Sequence, residues 1–159
     1  MEDTLRMPEI EFFSVATLEN LAEVMPRRTP WFTLLLAGDS PNTDPAQLAA
    51  QLRPLVDSGL VYFSAWGQGC EELHDALDQI LTERDSAGNP PPYEVMASSH
   101  VDESLGDAVW FFNTQAIPAD AEVFANFARY AVAVGGEESA RRLKQTLLRM
   151  GISGSEIKP

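Results

Sequence analysis

His100-Val101-Asp102-Glu103 sets an imidazole beside two carboxylates, in what reads as a polar turn beyond a strand. A histidine so placed can serve as a general base or a metal ligand, because its charge changes near neutral pH. Asp39, at the end of an earlier apolar run, is the carboxylate that could join it. A hydrolase built this way would use His100, Asp102 and Asp39 as its catalytic groups. A metal site from the same three side chains needs the first and third strands to be neighbours, and no metal is expected. Ser99 or Asp102 acting as a helix cap accounts for the same polar residues without chemistry. Asp39, just ahead of Pro41, has an equally plain role as a turn former.

Cys70 and His74 are four apart, hence on neighbouring turns of one helix face. Such a pair can bind metal or activate a thiolate. Cys70 also leads the apolar stripe Leu73–Leu77, so a small buried, inert residue is the preferred reading. Gly67-x-Gly69 falls where a dinucleotide-binding turn would stand. Glu72 occupies the place of the third glycine and would repel a pyrophosphate. A Gly-Lys-Ser/Thr phosphate loop and a Gly-x-Ser-x-Gly nucleophile elbow are both missing from the sequence. No cofactor is expected.

The elements that must position these residues alternate. Trp31 to Ala37 is a near-continuous apolar run, as in strands covered on both faces. Asp44 and Pro45 start a helix, which Pro54 should kink or shorten and Gly59 should stop. Leu60 to Trp66 is the second strand, followed by a helix from Cys70. The stretch Ser86 to Pro92 is a loop. Tyr93 to Ser98 is the third strand, and its position after a strand favours helix for Glu103 to Thr114. Phe127 to Val134 is the fourth strand, Gly135-Gly136 follows, and Gly151 stops the last helix.

This alternation predicts an α/β three-layer sandwich: about four mostly parallel strands with helices on both faces. The favoured strand order is 2-1-3-4, with 3-2-1-4 as the alternative. Residues 1–30 read as a helical preamble packed on the domain. Ile10 to Phe13 within it is a short strand or an extended clasp, and Thr17 caps a helix burying Leu18, Leu21, Ala22 and Met25. Residues 31–151 form the single domain, and 152–159 a flexible tail. In an open α/β sheet the carboxyl ends of the strands share one edge, where ligands bind. That edge makes Ser40, Trp66, Gly67, Ser99 and Gly136 the binding candidates. Trp110 and Phe111 would mark a protein interface if they faced outward.

The formal net charge is −13, and Lys144 and Lys158 are the only lysines. Such a surface repels phosphate backbones and anionic lipid, which argues against nucleic acid and membrane partners. The plainer reading is that the acidity keeps the protein soluble; the sharper one is a basic protein partner. A lone cysteine fits a reducing compartment, the acidic N-terminus lacks the pattern of a signal peptide, and the longest apolar run is too short to span a membrane. A cytoplasmic location is expected.

The stretch His100 to Leu105, then Ala108-Val109-Trp110-Phe111-Phe112, then Ala131 to Gly135, resembles an uncharacterised family of small bacterial α/β proteins. The run Trp31 to Ala37 and the turn Ala65-Trp66-Gly67 are similar too. The resemblance implies a bacterial, Rossmann-like domain and transfers no activity. Two function classes follow. One is a non-catalytic cytoplasmic binding or adaptor domain, an acidic partner or inhibitor of a basic protein. The other is a small hydrolase-type enzyme working through Asp39, His100 and Asp102.

Overall fold

Alternate residues of the run Trp31–Ala37 feed two separate cores: Phe32, Leu34 and Leu36 on one side, Leu35 and Ala37 on the other. A strand buried on both faces has no solvated side to make polar, which is why the run is continuous. The computed structural model describes residues 7–19, 21–39 and 44–158. Its strands are β1 (Ile10–Val15), β2 (Trp31–Ala37), β3 (Leu60–Trp66), β4 (Met96–His100), β5 (Phe127–Val134) and β6 (Gly154–Glu156). They form one open, all-parallel sheet in the order β4-β3-β2-β5-β1-β6.

The α/β class with a parallel sheet therefore holds, but the count and the favoured order do not. Six strands stand where about four were expected. The order 2-1-3-4 is overturned because β3 lies between β2 and β4. Among the four expected strands the arrangement is 3-2-1-4, and two further strands extend it past β5. Ile10–Val15, expected inside a helical preamble, pairs with β5 along its whole length. Its register puts Phe12 and Phe13 into opposite cores, so it packs as an inner strand does. Gly154–Glu156, expected in a flexible tail, pairs with β1 and closes that edge.

Helices α1 (Leu21–Val24), α2 (Pro45–Asp57) and α3 (Cys70–Ser86) cover one face. Leu18, Leu21, Ala22 and Met25 are all buried there, as their spacing predicts, though α1 is only one turn long. Asp44 caps α2, accepting from the Ala46 amide at 3.1 Å. The helix runs through Pro54 to Asp57, because the Ser58 amide closes the last turn onto the Pro54 carbonyl. Helices α4 (Leu105–Thr114) and α6 (Glu137–Arg149) cover the other face, while α5 (Ala121–Phe124) packs Val123 on Val61 and Phe127. Ser104 caps α4, accepting from the Asp107 amide at 3.0 Å, in place of Ser99 or Asp102. Arg129 points into the same face and is buried. It donates to the carbonyls of Pro8 and Asn113 and to the Asn113 side chain, tying the N-terminal segment and α4 to β5. No helix among the described residues is long and apolar enough to cross a membrane.

Candidate functional site

The carboxyl ends of β2, β3 and β5 come together through two glycines. At Gly38 (φ +148°) an added Cβ would sit 2.1 Å from the Val134 carbonyl oxygen; at Gly67 (φ +110°) it would sit 2.2 Å from that of Gly38. Only a residue without a side chain permits this approach, and the positive φ asks for glycine as well. Asp39 then reaches from the end of β2 across to the next loop, accepting from the Gln68 amide at 2.8 Å. The turn at 67–69 is thereby held over the sheet edge, and α3 starts directly behind it.

A cavity of about 350 Å³ opens between this turn and the one that follows β4. Asp39, Trp66, Gly67, His100 and Asp102, all predicted site residues, line it. Glu71, Glu72 and Glu103 also line it. Five carboxylates thus face one opening whose lining contains neither lysine nor arginine. None of the five forms an ion pair with lysine or arginine among the described residues. Glu71 and Glu72 sit in the first turn of α3, where the helix dipole favours negative charge. Asp102 is held at φ +59°, the one non-glycine residue with positive φ among those described.

Gly136 and Ser99 are not part of that lining, and Ser40 lies outside the described residues. Gly136 instead caps α6 beside a much smaller crevice of about 30 Å³ lined by Gly38, Asp39, Ser139 and Arg142. The Arg142 guanidinium lies 5.3 Å from the centroid of the Trp66 ring. That crevice lies between the end of β2 and the first turns of α6, the helix that follows β5, and the strand order reverses between β2 and β5.

His100 does not meet Asp39 as a partner. Its Nδ1 is 3.0 Å from Glu103 Oε1 and its Nε2 is 3.0 Å from Ser98 Oγ. Ser98 Oγ is in turn 3.0 Å from Ser64 Oγ, on the strand alongside. The ring is 4 % exposed and packs edge-on to Phe111 at 4.8 Å. Trp66 Nε1 donates to the Glu103 carbonyl at 2.8 Å and fixes the same turn from β3. A carboxylate only accepts, so Nδ1 carries the hydrogen, and in the neutral ring Nε2 offers a lone pair to the Ser98 hydroxyl. Ser98 escapes a reading that ends the strand at that residue. Extending β4 to His100 puts positions 98 and 100 on one face by strand alternation, and that alternation is the signal that finds the pair.

Cys70 is buried on the inner stripe with Leu73 and Leu77. Burial pushes its thiol up from the ordinary cysteine range, against the opposing effect of a hydrogen bond with the His100 backbone. The thiolate is disfavoured, so the sulfur is a poor nucleophile although it borders the cavity. His74 turns the other way. It lies 3.4 Å from Asp78 and 3.9 Å from Asp75, and one ligand atom from each of the three falls within 4.8 Å of the others. They could hold a cation on the outer face of α3. Trp110 is 53 % exposed, whereas Phe111 turns inward onto His100 and Tyr62.

Comparison with the curated proteins and with the solved structures gives no match. A family model described as "Domain of unknown function (DUF7684)" matches residues 10–149. That match runs from the first residue of β1 to the last of α6, taking in every lining residue of the cavity, and the chain belongs to this family.

Proposed function

We propose that the protein is a binding domain that takes up a cationic group of a basic protein partner in the cavity at the carboxyl edge. The observation that carries this reading is the cavity lining: five carboxylates and no lysine or arginine, on a chain of net charge −13. A lysine or arginine side chain entering there would meet several carboxylates, each gaining from its approach, with Trp66 offering an aromatic wall. The long-range field of the chain would steer such a partner in and raise its association rate. The reading supposes a cytoplasmic protein of bacterial origin with a Rossmann-like domain. A hydrolase working through Asp39, His100 and Asp102 draws less support. Both ring nitrogens of His100 are engaged by Ser98 and Glu103, and Asp39 holds the Gln68 amide.

The test is calorimetric titration with an arginine- and lysine-rich peptide, with an acidic peptide of equal length as control. The expected result is uptake of the basic peptide alone, weakening as salt is raised. The double variant Glu72→Gln, Asp102→Asn should lose roughly tenfold or more in affinity while keeping its fold. Equal affinity in that variant, or no uptake at low salt, overturns the reading.

A further inference from the structure

Capture of a cation makes no use of the hydrogen bonds that join Ser64, Ser98 and His100, and Glu103 is the carboxylate that this row shares with the cavity. The geometry of the row is that of an activated nucleophile. Ser98 and His100 are two apart on β4 and so share one face of the sheet. The Ser98 hydroxyl lies 3.0 Å from His100 Nε2, and Glu103 lies 3.0 Å from Nδ1. Nucleophile, base and orienting carboxylate therefore stand in the sequence of contacts that acyl transfer requires. With the ring neutral, one set of proton positions satisfies the row. Glu103 accepts from Nδ1–H, Nε2 accepts from Ser98, and Ser98 keeps a lone pair for the Ser64 hydroxyl. In that neutral form the base stands in the productive tautomer before any substrate arrives. Its burial under Phe111 keeps the ring from turning. Ser98 itself is only partly buried, on β4, the edge strand at this end of the sheet.

We infer that Ser98 is a nucleophile for acyl transfer from small esters, with His100 as general base and Glu103 as its positioning residue. Ser98 Oγ forms a bond to the acyl carbon as its proton passes to His100 Nε2. The ester C–O bond breaks, and the Nε2 proton leaves on the departing alkoxide. A water molecule then attacks the acyl carbon, giving its proton to Nε2. The bond from Ser98 Oγ to that carbon breaks, the acid is released, and the proton returns to Ser98. The Ser64 hydroxyl donates to Ser98 Oγ while that oxygen carries negative charge.

The inference is tested with an alkyl fluorophosphonate on the intact chain. Reaction would join Ser98 Oγ to phosphorus, expel fluoride and pass the serine proton to His100. The expected result is one adduct, mapped by peptide mass spectrometry to Ser98, formed by the native protein and absent in denaturant. Glu103→Gln should slow labelling by roughly tenfold or more and shift its pH profile, because the ring loses its orienting charge. Ser98→Ala should abolish the adduct, and circular dichroism reports whether each variant is folded. The network could instead only satisfy the buried polar groups of Ser64 and His100. That role gives no fold-dependent reactivity at Ser98. Absence of the adduct in the native protein, or a labelling rate unchanged by Glu103→Gln, overturns the inference. Neither outcome touches the peptide titration, which uses other variants and reads no chemistry.

Discussion

The two ends of the sheet carry cavities of similar size and opposite character. At the amino end, about 450 Å³ is enclosed by residues that include Glu9, Glu11, Arg28, Tyr130 and Ser155. There the charges answer one another: Arg28 pairs with Glu11, and Ser153 and Ser155 donate to Glu9. At the carboxyl end, about 350 Å³ is enclosed by carboxylates that no lysine or arginine neutralises among the described residues. Volume alone would pick the amino end. A cavity whose charged groups are already paired behaves as a seam along β1 and β6, although the buried Tyr130 hydroxyl that lines it has no hydrogen-bond partner among the described residues. A cavity that gathers like charge is less stable than it need be, and such a cost persists where function asks for it. Both ends use close backbone approaches at positive-φ glycines, Gly38 and Gly67 at the carboxyl end and Gly59 at the amino end, where an added Cβ would sit 2.0 Å from the Pro30 carbonyl oxygen; the carboxyl end adds Asp102 at φ +59°.

The sharpest way to break the carboxyl end is at its glycines. Gly67→Ala forces a Cβ to within 2.2 Å of the Gly38 carbonyl oxygen at a φ that alanine resists. The clash is with backbone, so no side chain can move aside. The expected loss is about 3 kcal/mol or more in chemical denaturation. Gly136→Ala is the matching control. Its φ is +105°, but nothing lies within 4 Å of the added atom. It should cost only the conformational part, roughly 1–2 kcal/mol. Equal losses at the two positions would mean that the close approach of β2 and β3 contributes nothing.

Much of this was legible in the sequence, and what was not has a physical reason. Continuous apolar runs located β2, β3 and β5, since strands buried twice carry a strong signal. Leu105, Ala108, Val109 and Phe112 located α4 by their spacing, and all four are buried. β1 and β6 are weak signals. Glu11 interrupts the one, and the other is three residues long and paired on one side only. Strand order is not written in local pattern, so the favoured 2-1-3-4 had only analogy behind it. The gathering of the candidate residues at one edge followed from the fold, because strand ends share an edge whatever their order. Asp39, Trp66, Gly67, His100 and Asp102 do share a cavity. The partners of His100 did not follow, since they depend on where β4 ends and on Ser64 standing beside Ser98.

Cys70 tests how dry the wall of the carboxyl cavity is. Its sulfur is buried and its thiol is pushed up, so the folded state holds the proton more tightly than the unfolded one. Stability from this group is fully present below the ordinary thiol range. It is lost as pH rises through that range toward the raised folded value, beginning near about pH 8.5. Cys70→Ala should cost roughly 1 kcal/mol through a small cavity and flatten that alkaline decline. Native protein should react with a thiol reagent far more slowly than denatured protein. Equal rates would place the sulfur in water.

Asp102 tests whether the carboxyl end trades stability for its charge. At φ +59° it holds a conformation that costs less in aspartate than in most residues, though more than in glycine. It also adds a carboxylate to a cavity already crowded with them. Asp102→Gly relieves both and should raise stability by up to about 1 kcal/mol, less at high salt as screening removes the charge part. The same change should weaken uptake of a basic peptide. A stabilised variant that binds as well as before would sever stability from function at this position.

The smallest effect is expected at the other end of the comparison. Glu11→Gln removes the charge that faces Arg28 but leaves an amide oxygen that can accept the same hydrogen bond. The Arg28 side chain is 62 % exposed, so water compensates most of what the pair loses. Tyr130, fully buried beside them, responds in a defined direction. Burial raises its hydroxyl first of all, and the Glu11 charge raises it further. Taking that charge away should bring the Tyr130 ionisation down toward the ordinary phenol range, which ultraviolet titration reads directly. The sign for stability follows from the raised value. The folded state binds the Tyr130 proton more tightly than the unfolded chain does, so stability is full below the ordinary phenol range and falls as pH rises through it. Glu11→Gln narrows that difference and should soften the decline in strongly alkaline solution. Near neutral pH it should leave the denaturation midpoint where it was, and basic-peptide uptake with it. A large neutral-pH loss, from a pair in which Arg28 is exposed and Glu11 is only 18 % so, would show that the amino end depends heavily on its charges.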